Sequence, residues 1–443
     1  MIANASGSEF GTASSFWRGP AAWARAAEVN AVLLALALPW STTLAGIFAV
    51  TWLLTLMPTI DIRDFLQSLK RPVCALPILL FALAVVGTLW ATDIPWLDRL
   101  RGISPAAKLL AIPVLMYQFE KSGRGLWVAI AFLASCTLVM LVSWLMFVDP
   151  RFVFYTGKTL GVPVKNYIVQ SKEFALCAFG AFGAAMYLRD RQQKKLASAL
   201  VVLGAAFLAN MVFVVSSRTV LVCIPVLLVV FAIVYFSRRG VLVLLTGAVV
   251  LGALAWTASP YLRMRTALVG EEYQQYREKN AATSTGMRLE FWRKSIGFIE
   301  DAPLAGHGTG STKTLFERAA VGKTGVSAEI IENTHNQTLH VAVQWGLIGF
   351  VVLYAMWFAH LRMFAGVAGL AAWIGLVAVV ENFVSSVFNS HLFDFAEGWM
   401  YVLAVGVAGG MVSRRRVNDR IAGEAAMDSS HPGTPVGAGR AAS

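Results

Sequence analysis

His335 has the clearest case for chemistry in this sequence. It stands in Asn333-Thr334-His335-Asn336-Gln337 at the opening of an apolar run, with Gly346 and Gly349 downstream. Thr334 or Asn333 is a suitable helix N-cap, which puts His335 near the positive end of a helix. That end disfavours imidazolium and lowers the histidine pKa. A neutral imidazole is what a general base requires. Gly346 follows eleven residues later, close to three turns at about 3.6 residues per turn. The spacing predicts His335 and Gly346 on one helix face, with Gly349 a turn further. Small residues there let a neighbouring helix approach closely and hold the histidine in one orientation. His340 falls on another face and reads as structural.

Two arginines supply the second half of a possible reaction. Arg218, in Val215-Ser216-Ser217-Arg218-Thr219, opens an apolar run. An arginine at a helix N-terminus opposes the macrodipole, so its charge needs another partner. That partner is either a lipid phosphate reached by snorkelling or a substrate phosphate gripped by two prongs. Arg288 lies in Met287 to Glu300, where Leu289, Trp292, Ile296 and Ile299 form an apolar stripe at helical spacing. This predicts an amphipathic helix lying over the membrane part, with Arg288 one turn before Trp292. Further on, Asp301 to Gly308 reads as a glycine-rich turn in which His307 either shapes the loop, the favoured reading, or helps bind substrate. Glu381, inside an apolar run, is costly there and invites either a functional reading or an internal hydrogen bond. Asn389, His391, Asp394 and Glu397 cluster just beyond it. No DxD, GxSxG, Walker A or HExxH motif occurs, so no metal site is expected and the chemistry reads as metal-independent, without a cofactor.

These residues need elements to hold them. The 443 residues are 57% hydrophobic and only 14% charged, with mean hydropathy +0.64. A soluble domain carries about 25% charged residues, so this chain belongs in a bilayer. That excludes a soluble enzyme and a nucleic-acid binder built on a water-facing basic domain. Hydropathy predicts an all-α polytopic protein with about twelve spans, at 23–39, 42–58, 72–92, 103–118, 125–147, 166–188, 196–214, 219–236, 241–258, 335–358, 365–387 and 395–412. Lys and Arg in the short loops alternate consistently onto one side if both termini are cytoplasmic. The expected organisation is an N-terminal cytoplasmic segment 1–22, nine spans in 23–258, a periplasmic loop domain 259–334, three spans in 335–412 and a disordered cytoplasmic tail 413–443. Residues 8–15 have the look of an expression-vector remnant and are given no fold role.

The outer face is unusually basic. The large loop carries Arg263, Arg265, Arg277, Lys279 and Arg288 among others, and smaller outer loops add Arg99, Arg101, Lys108, Arg151, Lys158, Lys165 and Lys172. Either this face attracts anionic lipid or it handles an anionic, phosphorylated substrate. The net charge of +12 is thereby assigned to membrane and substrate rather than nucleic acid. Cys74, Cys136, Cys177 and Cys223 sit in apolar runs without a CxxC and read as core residues. No internal repeat is visible, which weakens an inverted-repeat transporter.

The stretch His335-Asn336, nine residues, Gly346, two residues, Gly349 resembles the motif of the O-antigen ligase family, matching every specified position. The twelve spans, the single dominant loop before the motif and the arginine opening span eight resemble the family too. The resemblance implies a GT-C-type glycosyltransferase at the periplasmic face of the bacterial inner membrane. It would move a glycan from undecaprenyl diphosphate to the lipid A–core oligosaccharide. Carried over residue by residue, His335 would be the general base, Arg218 and Arg288 would hold the diphosphate, and Asn336, Gly346 and Gly349 would support the motif. The rival readings are an O-antigen polymerase, an O-linked protein oligosaccharyltransferase and a transporter. One large loop rather than two disfavours the first, and a short tail disfavours the second.

Overall fold

The computed structural model describes residues 19–152 and 159–429. Residues 8–15, Lys158 and 430–443, about which the sequence raised expectations, lie outside that set. Among the described residues every regular element is a helix. In chain order the α-helices are α1 (Pro20–Ala37), α2 (Thr42–Leu56), α3 (Ile62–Ser68), α4 (Pro72–Val86), α5 (Trp96–Ala107), α6 (Ala111–Lys121), α7 (Leu126–Val148), α8 (Tyr167–Asp190) and α9 (Lys194–Phe213). They continue with α10 (Arg218–Tyr235), α11 (Arg238–Ala258), α12 (Pro260–Lys279), α13 (Ser284–Asp301), α14 (Ser311–Ala320), α15 (Gln337–Phe364), α16 (Leu370–Ser385) and α17 (Phe395–Ser429).

Each expected span falls on a helix or helix pair, though fewer than twelve qualify by length and apolar composition. Among the described residues eight helices are long and apolar enough, or nine if α3 and α4, bent by 88°, form one span. Besides that pair, the helices that fall short are α1, α8 and α16. Alanine-rich α1 carries Arg25, Glu28 and Asn30; α8 carries Lys172, Glu173, Arg189 and Asp190; α16 has 16 residues. A hydropathy run reports apolar character and says little about where a helix begins or what polar residues it hides.

Close backbone approach holds the bundle together where no hydrophobic effect operates between helices in lipid. Helices α6 and α17 show it best. A Cβ at Gly410 would stand 2.6 Å from the Met116 carbonyl oxygen, and one at Gly406 would stand 2.5 Å from the Leu115 side chain. At the other extreme α11 buries none of its residues. Its Leu242, Val243 and Leu251 face outward, as suits a helix bathed in hydrocarbon. All four cysteines are buried and unpaired.

Three differences from the sequence reading stand out. Residues 413–429, expected to be unstructured, continue α17 to Ser429. In α13 the expected stripe is not the buried face. Ile296 is 49% exposed, while Glu290, Phe291, Lys294 and Ser295 are buried. Lys294 reaches the Ser327 carbonyl at 2.6 Å and Glu290 takes Arg293 and Tyr276; the packing partner of α13 is polar, so an apolar stripe did not mark it. The third difference is a break in α15. Gly346 has φ 57° and ψ −149°, outside helical geometry.

That break overturns the shared-face expectation for His335 and Gly346. The turn after α13 wedges its backbone into the kink. Leu347 and Ile348 donate backbone N–H to the Pro303 and Leu304 carbonyls, while His307 and Gly308 donate to those of Val343 and Gln344. A Cβ at Gly346 would lie 2.4 Å from the Leu304 carbonyl carbon. Gly346 is therefore needed for its left-handed backbone and its missing side chain. Gly349, one turn later, packs against Val341 and Trp345 of its own helix across the bend.

Candidate active site at one end of the bundle

The N-termini of α8, α10, α15 and α17 and the C-terminus of α16 meet at one end of the bundle, where α12 and α13 pack over them. His335 precedes α15 rather than opening it. The N-cap is Asn336, whose side chain accepts from Leu339 N–H at 3.1 Å. Neither Thr334 nor Asn333 has that role, so the expected cap is corrected by two to three positions. His335 adopts φ 53°, one of three non-glycine residues with positive φ among the described residues. Asn333 Oδ1 accepts its backbone N–H at 2.9 Å, and Trp292 Nε1 donates to its carbonyl at 3.4 Å. Backbone strain of this kind is found where the surroundings over-determine a functional residue.

The imidazole is fixed as firmly as the backbone. Its ring stacks on Phe291 with centroids 5.9 Å apart and planes 23° apart. Nδ1 lies 2.8 Å from Asn389 Oδ1. Asn389 in turn donates from Nδ2 to Asp394 Oδ2 at 3.1 Å, which assigns its amide orientation. An oxygen acceptor opposite Nδ1 requires the proton on Nδ1 and leaves a lone pair on Nε2. Burial pushes the His335 pKa below its ordinary 6.5, with Arg288 adding to the depression and Asn389 and Asp394 opposing it. The ring is thus held in one orientation, with its neutral form favoured by burial.

The motif residues build this arrangement by pinning the 386–394 segment. Asn336 Nδ2 donates to the Val387 carbonyl, Gln337 N–H to that of Ser386, and Gln337 Oε1 accepts Leu392 N–H. Lys108, expected only as an outer cation, places its amine on the carbonyls of Phe393 and Asp394 at 2.8 and 2.6 Å. His391 is fully buried with Nδ1 3.3 Å from Asp394 and 3.6 Å from Glu397. These three offer ligand atoms within 4.8 Å of one another, a geometry that could hold a metal ion. The positive fields of Lys172 and Lys108 already act on Asp394, and that of Lys172 on His391. The cluster is thus balanced by cations from α8 and from the α5–α6 junction.

On the other side of His335 stand the arginines. Arg288 is half-buried on the second turn of α13 and makes no hydrogen bond or ion pair among the described residues. Its pKa is lowered by burial first, then by the neighbouring Arg218 and Arg265. Arg218 begins α10 behind the N-cap Ser217, as expected. Its guanidinium is already occupied: Nη1 and Nη2 each donate to Glu272 at 2.7 Å, and Nη1 donates to Thr285 at 3.0 Å. The Arg218 guanidinium holds the Glu272 carboxyl down at about 2. Arg265 was one basic loop residue among many in the sequence. Here it lies 5.2 Å over the Tyr167 ring, with Nη2 3.4 Å from the Ser216 carbonyl and a buried Nε without a partner. No periodicity marked it, because its place depends on α12 folding back over the ends of α8 and α10.

The remaining candidates all make contacts within the bundle. His307 Nε2 contacts the Phe298 carbonyl at 2.7 Å. His340 Nε2 meets Gln344 Nε2 at 3.1 Å. Glu381 forms a buried pair with Lys172 at 3.5 Å, and Lys172 also donates to Ser385.

A helical bundle fit for a membrane, with an aimed histidine and an arginine cluster at one end, is the class of protein these observations define. Residues 203–354, about a third of the chain, match the family model described as O-antigen ligase. The segment contains Arg218, Arg265, Arg288, His335, Gly346 and Gly349. A stretch of 122 residues is 27% identical to an uncharacterized protein of Haemophilus influenzae (strain Rd). It covers 27% of this chain and 31% of that protein, so the chain spans about a third of the relative it matches.

Proposed function

We propose that this protein is an O-antigen ligase of the GT-C type. It transfers a glycan from undecaprenyl diphosphate to a sugar hydroxyl of the lipid A–core oligosaccharide, at the periplasmic face of the inner membrane, with both termini cytoplasmic. The observation that carries the reading is the Nε2 of a strained His335 beside the guanidinium of Arg288, both without a hydrogen-bond partner among the described residues. The family segment that holds both residues supports it.

In this mechanism Nε2 of His335 takes the proton of the acceptor hydroxyl as its oxygen attacks the anomeric carbon. The bond from that carbon to the diphosphate oxygen breaks, and the bonding pair leaves with undecaprenyl diphosphate. The Asn389–Asp394 pair supports the imidazolium that forms. General-base help of this kind contributes roughly 10²–10⁴-fold. Arg288 stabilises the charge developing on the leaving diphosphate. Arg218 joins it by exchanging Glu272 for phosphate, a swap of one bidentate anion for another. Attack opposite the leaving group inverts the anomeric centre. Both substrates are lipids, so the bilayer aligns them. The arginines provide the charge that a divalent cation would otherwise supply, which makes the reaction metal-independent.

The test is transfer in vitro by purified protein, with undecaprenyl-diphosphate-linked glycan and lipid A–core, with and without EDTA. The expected result is product that survives EDTA and disappears in a folded His335→Ala variant. Longer lipid-linked glycan instead of modified lipid A–core would move the assignment to a polymerase, and a glycosylated protein to an oligosaccharyltransferase. Loss of activity in EDTA would turn attention to His391, Asp394 and Glu397 as metal ligands.

A further inference from the structure

A polar cavity lies near His335, lined by residues that neighbour it but by none of Arg218, Arg265 and Arg288. It encloses about 220 Å³ between α5, the start of α14 and the first two turns of α15. At ~30 Å³ per water that is room for about seven waters, the bulk of a single sugar ring. It touches the base through two residues. Asn333, which holds the His335 backbone N–H, and Asp394, which anchors Asn389, both line it.

Two of the residues that line it carry a buried polar atom without a partner among the described residues. Gln344 Oε1 accepts Gly310 N–H at 2.8 Å, so its Nε2 faces His340 Nε2 as a donor. His340 therefore carries its proton on Nδ1, and that atom has no partner. The Thr312 hydroxyl, on a residue only 2% exposed, has none either. Buried polar atoms left unsatisfied cost stability unless something fills them. At the mouth the ion pairs are loose: Arg101 to Asp98 at 3.6 Å and Lys313 to Glu332 at 3.7 Å. Charges held at those distances are available to a ligand.

Resting on the transfer reading above, we propose that this cavity is the acceptor subsite. It takes the sugar ring that presents the attacking hydroxyl, and Lys313 and Arg101 meet an anionic substituent of that ring or its neighbour. The side of the base decides between the two substrates. In an inverting displacement the nucleophile and the leaving diphosphate lie on opposite faces of the anomeric carbon. The arginines take the diphosphate and none of the three lines this cavity, so the ring it holds belongs to the acceptor. Hydrogen-bonding walls of this type reject a ring lacking the matching hydroxyl.

The experiment is steady-state transfer with lipid A–core and undecaprenyl-diphosphate-linked glycan varied in turn, for Thr312→Val, Lys313→Ala and the control Thr312→Ser. The expected result is an acceptor KM raised about threefold to tenfold in the first two, the loss of one hydrogen bond or charge contact. Donor KM stays unchanged, and the serine variant is close to wild type. A raised donor KM with an unchanged acceptor KM would assign the ring to the donor and overturn the proposal. Unchanged values for both substrates would overturn the subsite altogether. Wild-type protein that extends lipid-linked glycan but never modifies lipid A–core would overturn the ligase reading instead. The same variants then test the cavity against the lipid-linked acceptor.

Discussion

The two sides of His335 are built on opposite principles. Toward 386–394 everything is fixed: Asn389 touches the imidazole and Asp394 at once, and Asn336, Gln337 and Lys108 pin the segment that carries them. Toward α10, α12 and α13 the groups are exchangeable. Among the described residues Arg288 makes no hydrogen bond or ion pair, Arg265 has a buried Nε without a partner, and Arg218 rests on a carboxylate that resembles a phosphate in charge and reach. The contrast teaches where rigidity is needed. A base must be aimed to within a fraction of an ångström of a proton. A diphosphate must be admitted and then released, so its ligands are held in reserve.

The largest expected effect breaks the fixed side outright. His335→Ala should lower the transfer rate by roughly 10²–10⁴-fold, in protein shown to be folded by its thermal transition. Full activity would remove the general base from the mechanism. Next comes the exchangeable side. Arg288→Ala should cost about 10²–10³-fold in kcat, the scale of losing one donor to a developing oxyanion. Arg288→Lys should recover part of it, since charge returns without the two-pronged geometry.

Asn389→Ala sharpens the contrast. It leaves the base in place but releases Nδ1, and kcat should fall about tenfold, the worth of a hydrogen bond to a charged group. The pH profile adds a readout. Burial keeps the His335 pKa below 6.5, so the rate should rise with pH on an acid limb below 6.5 and level off above it. Asn389 raises that pKa, so its removal should move the limb to lower pH. A limb that does not move would disconnect Asn389 from the base.

Glu272→Gln probes the reserve itself. Freed from its carboxylate, Arg218 should bind undecaprenyl diphosphate severalfold more tightly, measured by ligand-induced thermal stabilisation. Unchanged affinity would take Arg218 out of the diphosphate site. The folded-state pKa of Glu272 is depressed to about 2. The pair's contribution to stability is therefore complete above the ordinary glutamate value of about 4.3 and is lost as pH falls from there through about 2. At neutral pH only a competing anion opens it. The smallest change tests the scaffold. Gly346→Ala should lower stability by about 1–3 kcal/mol, because a left-handed residue would acquire a side chain against the Leu304 backbone. An unaltered thermal transition would contradict that role.

The sequence by itself determined the membrane class, the positions of the helices and the residue types able to do chemistry. Apolar runs and glycines are local facts, and a histidine opening such a run stands out without any partner in view. It also marked Gly346, though for the wrong reason. Periodicity assumes one unbroken helix, and a positive φ cannot be seen in a spacing of eleven. The tertiary structure alone decided the rest. Asn389 lies 54 positions from His335 and fixes its tautomer, while Glu272 lies 54 positions from Arg218 and neutralises it. Arg265 and Lys108 looked like any other outer cation until the chain folded around them. The physical reason is common to all four. A hydrogen bond between elements depends on where two helix ends meet, and helix ends meet according to packing across the whole bundle, which no short-range pattern records.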